Sequence, residues 1–274
     1  MIISHCRLTK NIQKRLLEYF VLEVTARSAA NILGIHPNSA IANIIKQFDV
    51  VAVQEIRDKE GLAIIKLLGE VNSTNDDYSI IVSPRVGRTS SKEQYAIFYR
   101  KSNLQIEKDG TLWPDTQDLF EREPYMVMLK AINGTFDFVL VDIHTKPDDS
   151  AKEIAFLPEV IRFAAEYYEE PDVLCIGDLN ADGAYFDEDS YQTIFPYSSY
   201  LWIIPNSADT TVGKQSNTYD RISATSTIQE DWTGEWGVYR FDEAEAFSSL
   251  GIDAASLTDH YPVWASFYID RDSK

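Results

Sequence analysis

At 274 residues, 45% apolar and 12% aromatic, the chain has the composition of a soluble globular protein, long enough to bury one large core or two modest ones. No apolar run approaches the ~20 residues of a membrane-spanning helix, and two cysteines, Cys6 and Cys175, exclude a disulfide framework. The net charge of −18 excludes passive attraction to a polyanion. An acidic body that acts on one needs bound cations and local arginines to bridge the repulsion.

That charge is divided. Residues 1–48 carry six Lys/Arg against two Glu, and residues 49–274 carry 19 against 41 acids. The asymmetry predicts two segments of different origin or different partners. The first residues, Met1-Ile2-Ile3-Ser4-His5-Cys6-Arg7, lack the basic-then-apolar layout of a secretory signal, which predicts a cytoplasmic product. In the basic segment, helical apolar spacing covers 10–24. A second helix is predicted over 26–33, N-capped by Thr25 and stopped at Gly34, and a third from 37 or 38 to 48. Ala30, Gly34 and Ala40 are placed as the small residues of a helix-turn-helix. The wording TKNIQKRLLEYFVLEVTARSAANILGIHPNSA resembles the N-terminal helix-turn-helix of small bacterial insertion-element transposases. The chain therefore divides into a helix-turn-helix-like segment, 1–40, and a second domain, 41–274.

Beyond it the pattern changes. Residues 49–58 read as a buried strand ending in acid, 60–68 as a helix, and 78–82, 95–100 and 104–107 as strands. Strands over 126–132 and 135–143 flank Asn133-Gly134, which predicts a two-residue turn with positive φ. An amphipathic helix covers 154–168. The apolar run 173–176, containing Cys175 as a small buried hydrophobe, precedes Gly177-Asp178-Leu179-Asn180. Alternate residues of an extended chain share a face, so Asp178 and Asn180 are predicted to point the same way. Strands over 219–224 and 262–269 complete the set. Many strands with few helices predict an α+β fold of two packed sheets with helices outside.

Polar residues recur at the ends of these runs. Glu55 follows VVAVQ, His144 follows FVLVDI, Asp178 and Asn180 follow VLCIG, Asp259-His260 precede Tyr261-Pro262, and Asp220 opens another strand. Groups that emerge at strand ends from distant segments are how one rim of a sheet assembles a site. The set suits phosphodiester cleavage. A carboxylate such as Glu55 prefers a hard divalent cation, Mg²⁺ or Mn²⁺, and two histidines can divide base and acid roles, each oriented by a carboxylate.

QEIRD, KEQYAIFYR, EREP, DIHTKP, GDLNAD, PNSADTT, TYDRI and TDHYP occur in that order. Together they resemble the deoxyribonuclease I branch of the endonuclease/exonuclease/phosphatase superfamily. The resemblance implies a four-layer αββα sandwich and an endodeoxyribonuclease that hydrolyses DNA to 5′-phosphate ends. It implies Glu55 as metal ligand and His144 and His260 as the acid–base pair, oriented by Glu93 and Asp220. Asp178, Asn180 and Asp259 would bind metal, phosphate or nucleophilic water. Arg122 would contact phosphate, and Arg57 would reach into the minor groove. Asp209, Thr211 and Asp118 match positions that hold structural Ca²⁺. DNA is the implied partner; nothing in the sequence points to a membrane or a protein partner, although relatives of this domain are typically secreted. The alternatives are a phosphatase or sphingomyelinase of the same superfamily, or an inactive fusion of an insertion element with a nuclease.

Three departures from the family stand out. Its first strand, which supplies an active-site asparagine, is replaced by the transposase-like segment. That leaves an unpaired ladder beside residues 50–53 unless Met1 to His5 or a helix covers it. Ser91 stands where vertebrate enzymes carry a tyrosine. Gly183 and Asn217 stand where they carry a disulfide.

Overall fold

Alternation along two central strands decides the layering. The structure is a computed structural model that describes residue 42 and residues 45–89, 92–213, 215–240 and 259–272. Strands β5 (Tyr125–Ala131) and β6 (Asp137–Asp142) send successive side chains into two different cores. Met126, Met128, Val139 and Val141 enter one, while Val127, Leu129, Phe138 and Leu140 enter the other. A strand buried on both faces has this pattern because its side chains alternate with a period of two.

These strands lie inside a six-stranded sheet of order β4-β5-β6-β7-β9-β8. Its other members are β4 (Leu104–Leu112), β7 (Val173–Asp178), β8 (Tyr200–Trp202) and β9 (Asp220–Thr225). A second layer contains a three-stranded sheet, β1 (Val50–Val53), β3 (Ala96–Arg100) and β2 (Tyr78–Val82) in the order β1-β3-β2. It also contains the pair β10 (Trp232–Val238) and β11 (Val263–Phe267). Ile97, from β3, and the half-buried Val263 and Phe267, from β11, share a core with Phe138 and Leu140.

Helices cover the outer faces. Helix α1 (Leu62–Val71) packs Ile64, Leu67 and Val71 on Ala96 and Phe98, together with Ala42 and Ile45. Helix α2 (Ser150–Tyr168) buries Ile154, Leu157, Val160, Ile161 and Ala164 against Val139, Val141 and Cys175. Each of its fully buried Leu or Ile side chains contributes about 1.5–3 kcal/mol. A short helix, α3 (Tyr191–Ile194), packs Tyr191 into the same core. The result is helix, sheet, sheet, helix: the αββα sandwich expected. Among the described residues no helix is long and apolar enough to cross a membrane.

Several local expectations are corrected. The helix predicted over 60–68 runs from Leu62 to Val71. The one predicted from 154 begins at Ser150, directly after the 3₁₀ turn Pro147–Asp149. β4 continues to Leu112 through register shifts on either side of Lys108. β8 and β10 were not predicted: one has three residues, and the other is interrupted by Gly234 and Gly237. The 126–143 hairpin forms, but its connection spans residues 132–136, and neither Asn133 nor Gly134 has positive φ. Instead, the Ile269 carbonyl lies where a Cβ on Gly134 would be, and it accepts the N–H groups of Thr135 and Phe136 at 2.9 and 3.2 Å. The predicted helices over 10–24 and 26–33, the segment Met1 to His5, and Ser91 lie outside the described residues. Among those described, β1 is hydrogen-bonded on one side, to β3, and β11 on one side, to β10.

Candidate active site

Sheet topology brings the polar strand ends together. β6 and β7 are parallel, connected through α2, so both finish at the same rim. β9 is antiparallel to β7, with Asp178 opposite Asp220, so β9 begins there. In the facing sheet, Val53 at the end of β1 pairs with Ala96 at the start of β3, which places Glu55 and Glu93 just beyond one edge. The β6 and β7 ends supply His144 and Asp178, and the segment before β11 supplies His260.

Two histidine–carboxylate pairs face one another. His144 Nδ1 lies 2.7 Å from Glu93 Oε1, and His260 Nδ1 lies 2.8 Å from Asp220 Oδ2. Both Nε2 atoms turn toward Asp178, at 3.6 Å and 3.9 Å from its Oδ2. Burial opposes the charged form of His144, but the hydrogen bond to Glu93 and the charge of Asp178 outweigh it and raise its pKa. Burial also opposes charge on His260; the fields of Asp220 and Asp178 and the Asp220 hydrogen bond overcome it and push the pKa up to about 10. Asp178 is raised by burial and by the nearby Asp220, against the pull of both histidines.

Asp178 and Asn180 meet, but not by the pleat expected of them. β7 ends at Asp178, and Asn180 has φ 47°. The Asn180 backbone N–H donates to Asp178 Oδ1 at 2.9 Å, a turn closed by the aspartate's own side chain. The Asn180 amide donates to the Thr145 carbonyl at 3.1 Å, tying the β7 end to the loop after His144.

Glu55 has φ 56°, uncommon for a residue with a Cβ, and such conformations cluster at functional sites. Arg57 Nη2 lies 3.3 Å from its carboxylate. Arg122 is buried, with Nε 2.6 Å from Glu93 Oε1 and Nη1 donating to the His144 carbonyl at 3.1 Å. Ligand atoms of Glu55, Glu93 and His144 lie within 4.8 Å of one another, as do those of Asp178, Asp220 and His260. Glu93 Oε2 is buried and has no hydrogen-bond partner among the described residues. This donor set is mostly carboxylate oxygen, with Glu93 Oε2 met only by Arg57 Nε at 3.9 Å among the described residues, and it fits a hard divalent cation.

Other predicted residues lie outside these two groups. Asp259 is exposed and lines, with His260, Tyr219, Thr211 and Asn217, a cleft of about 430 Å³. Thr211 Oγ1 donates to Asp209 Oδ1 at 3.1 Å, while Arg240 holds Asp209 Oδ2 at 2.8 Å. Asp118 is paired with Arg88 at 2.6 Å. At both calcium positions a guanidinium already supplies the positive charge, so the fit for Ca²⁺ is poor. Gly183 and Asn217 are neighbours: a Cβ at Gly183 would sit 2.8 Å from Asn217 Oδ1. Sequence reasoning missed Gln54, whose side chain crosses between the sheets, and the fully buried Asp142. Their one sequence signal is position, directly before Glu55 and two residues before His144.

A two-sheet αββα body with paired histidines and carboxylates on one rim defines a hydrolase of phosphoester bonds. The model of the Endonuclease/Exonuclease/phosphatase family matches residues 29–253, and the chain belongs to that family. It is 32% identical to human deoxyribonuclease-1-like 2 over 258 residues, covering 85% of this chain and 86% of the relative. It is 34% identical to chicken deoxyribonuclease-1 over 234 residues, covering 81% and 82%. Within the family it is thus a deoxyribonuclease I-like phosphodiesterase. Solved structures share the fold at lower identity. The endonuclease/exonuclease/phosphatase from Bacteroides vulgatus matches with TM-score 0.55 at 18% identity, covering 85% of this chain and 90% of that one. The mannosyl-6-phosphatase Bt3783 of Bacteroides thetaiotaomicron matches with TM-score 0.53 at 15%, covering 84% and 90%.

Proposed function

We propose that the protein is a divalent-metal-dependent endodeoxyribonuclease that hydrolyses DNA phosphodiesters to 5′-phosphate ends. One observation carries the reading: Asp178 Oδ2 lies between two Nε2 atoms, each on a histidine whose Nδ1 is engaged by a second carboxylate. The similarity to deoxyribonuclease-1 over most of the chain supports DNA as the substrate.

The Nδ1 hydrogen bonds fix each ring, so Nε2 is the nitrogen that faces the reacting groups. Hydrolysis to a 5′-phosphate forms a bond from water oxygen to phosphorus and breaks the P–O3′ bond. One proton leaves the water and one joins O3′, and His144 and His260 divide these two transfers at Nε2. Asp178, with Asn180 holding its Oδ1, supplies the negative charge that stabilises whichever ring is protonated. Arg57, half exposed, is the cation available to a DNA phosphate or groove edge. Arg122 holds Glu93 and the His144 carbonyl, and would add positive charge beside a bound phosphate. Glu55, with a Glu93 carboxylate oxygen within 4.8 Å, would hold Mg²⁺ or Mn²⁺, which would supply positive charge against the phosphorane-like transition state.

Nicking of supercoiled plasmid in Mg²⁺, with end-labelling of the product, tests this. Wild type nicks and leaves 5′-phosphates, and His144→Ala loses the activity. A wild type that cleaves phosphate monoesters but not DNA, or equal nicking by His144→Ala, would refute it.

A further inference from the structure

We propose that Gln54 and Asp142 act as a positioning pair that locks Asp178 and the His144 loop together across the junction of the two sheets. The idea rests on the phosphodiesterase reading of the rim and adds two residues that touch no reacting atom.

Gln54 follows β1, yet its side chain reaches into the other sheet. Its Nε2 donates to Asp142 Oδ1 at 2.6 Å and to the Ile143 carbonyl at 3.0 Å. Its Oε1 accepts the backbone N–H of Asp178 at 3.2 Å. All three partners lie on β6, β7 or the residue after β6, and so on the elements that deliver His144 and Asp178. The next residue along is Glu55. One amide therefore joins the carriers of three of the groups that form the site.

The surroundings are built for that amide. Gly177, at φ 133°, leaves space that a Cβ would fill by colliding with Gln54 Nε2 and the Ile143 carbonyl. Amide orientation is also specified. Two acceptors, Asp142 Oδ1 and the Ile143 carbonyl, face Nε2, and one donor, Asp178 N–H, faces Oε1. A flipped amide would set its NH₂ group against that N–H. Asp142 is fully buried, and among the described residues its Oδ2 has no hydrogen-bond partner. Burying an unpartnered polar atom is unfavourable, and an apolar side chain would fill the same core position without that penalty. What the carboxyl provides that an apolar group cannot is an acceptor for Gln54.

The test compares Gln54→Met, Asp142→Asn and Asp142→Val. Methionine keeps the length of glutamine without donor or acceptor, and asparagine keeps an acceptor oxygen where valine does not. We expect Gln54→Met to lower kcat for plasmid nicking by about 10–100-fold with KM changed less than about 3-fold, the signature of misplaced groups rather than lost binding. Asp142→Asn stays within about 3-fold of wild-type kcat, whereas Asp142→Val falls by about 10-fold while melting at least as high as wild type. A purely packing role predicts the reverse order for those two. Exchange of the Asp178 amide proton is measured in parallel, independently of any activity, and is faster in Gln54→Met and Asp142→Val than in wild type and Asp142→Asn. If Gln54→Met does not melt cooperatively, the Asn/Val pair decides. Wild-type kcat in Asp142→Val, equal slowing in both Asp142 variants, or unchanged Asp178 exchange would overturn the pairing. A wild type without nuclease activity would instead overturn the functional reading and leave the exchange result to judge the pair.

Discussion

Glu93 Oε1 is shared by His144 Nδ1 at 2.7 Å and Arg122 Nε at 2.6 Å. A single oxygen thus sets a ring orientation and neutralises a buried guanidinium. Glu93→Gln removes the charge both partners need, and its amide oxygen can serve them only weakly. We expect kcat to fall by about 10²–10³-fold, within the range typical of a disabled acid–base group, with KM nearly constant; steady-state nicking kinetics decide it, and a kcat near wild type would contradict this role. Asp142 gives a prediction in pH. Burial raises its pKa to about 7, against the lowering hydrogen bond from Gln54. Its folded value lies above its unfolded one, so the folded state binds the proton more tightly. Stability from this group is present below about pH 4 and is lost as pH rises through about 7. Asp142→Asn removes that loss. Melting curves should show the variant more stable than wild type at pH 8, with the gap closing toward pH 4; a gap independent of pH would refute the assignment.

These residues also mark how far sequence alone reaches. Glu55, His144, Asp178, Asp220 and His260 were legible because charge directly follows or precedes an apolar run, and topology then gathers such ends on one rim. Gln54 was not, because an amide among apolar neighbours gives no sign of which sheet it will bond. Asp142 was not, because an acid at the end of an apolar strand gives no sign that it is fully buried. Asn180 lies beside Asp178 by a route the strand pleat does not give: the chain leaves extended geometry after Asp178, and the aspartate's side chain closes the turn.

At the level of elements, the longer described strands and helices of the sandwich followed from periodicity because their apolar faces meet distinct cores, whereas the short β8 and the glycine-interrupted β10 did not. The β5–β6 connection did not, since its determinant is distant. Asn133-Gly134 has the composition of a tight turn, but the glycine is needed because the Ile269 carbonyl occupies its Cβ position and bonds the next two N–H groups. Gly134→Ala therefore forces backbone against backbone. Overpacking of this kind costs about 1–3 kcal/mol, which lowers Tm by roughly 2–4 °C per kcal/mol in a chain of this size. Calorimetry checks it, and a Tm within about 1 °C of wild type would show that residue 269 moves aside freely. Nicking activity should persist below the transition, because this connection joins β5 and β6 at the end opposite His144.

The whole molecule presents a charge problem that no single contact solves. Its net charge is −18, and the rim carries Glu55, Glu93, Asp178 and Asp220, while the proposed substrate is a polyanion. Most DNA-binding proteins gain affinity by releasing counterions, so their binding weakens as salt rises. Here the long-range term has the opposite sign. At low ionic strength the screening length is ~30 Å, long enough for acidic surface remote from the rim to repel the duplex, whereas near 0.1 M it is ~10 Å and only local groups are felt. On the proposed function, Arg57 and a divalent cation held at the rim would be such local groups, and their attraction would survive that screening better than the diffuse repulsion does. With Mg²⁺ held constant near 1 mM, KM for plasmid should therefore fall several-fold as NaCl rises from about 10 to about 100 mM. Kinetics across that salt series decide it. A KM that climbs steadily with salt would mean that phosphate contacts by cationic side chains, and not the acidic body, govern encounter with DNA.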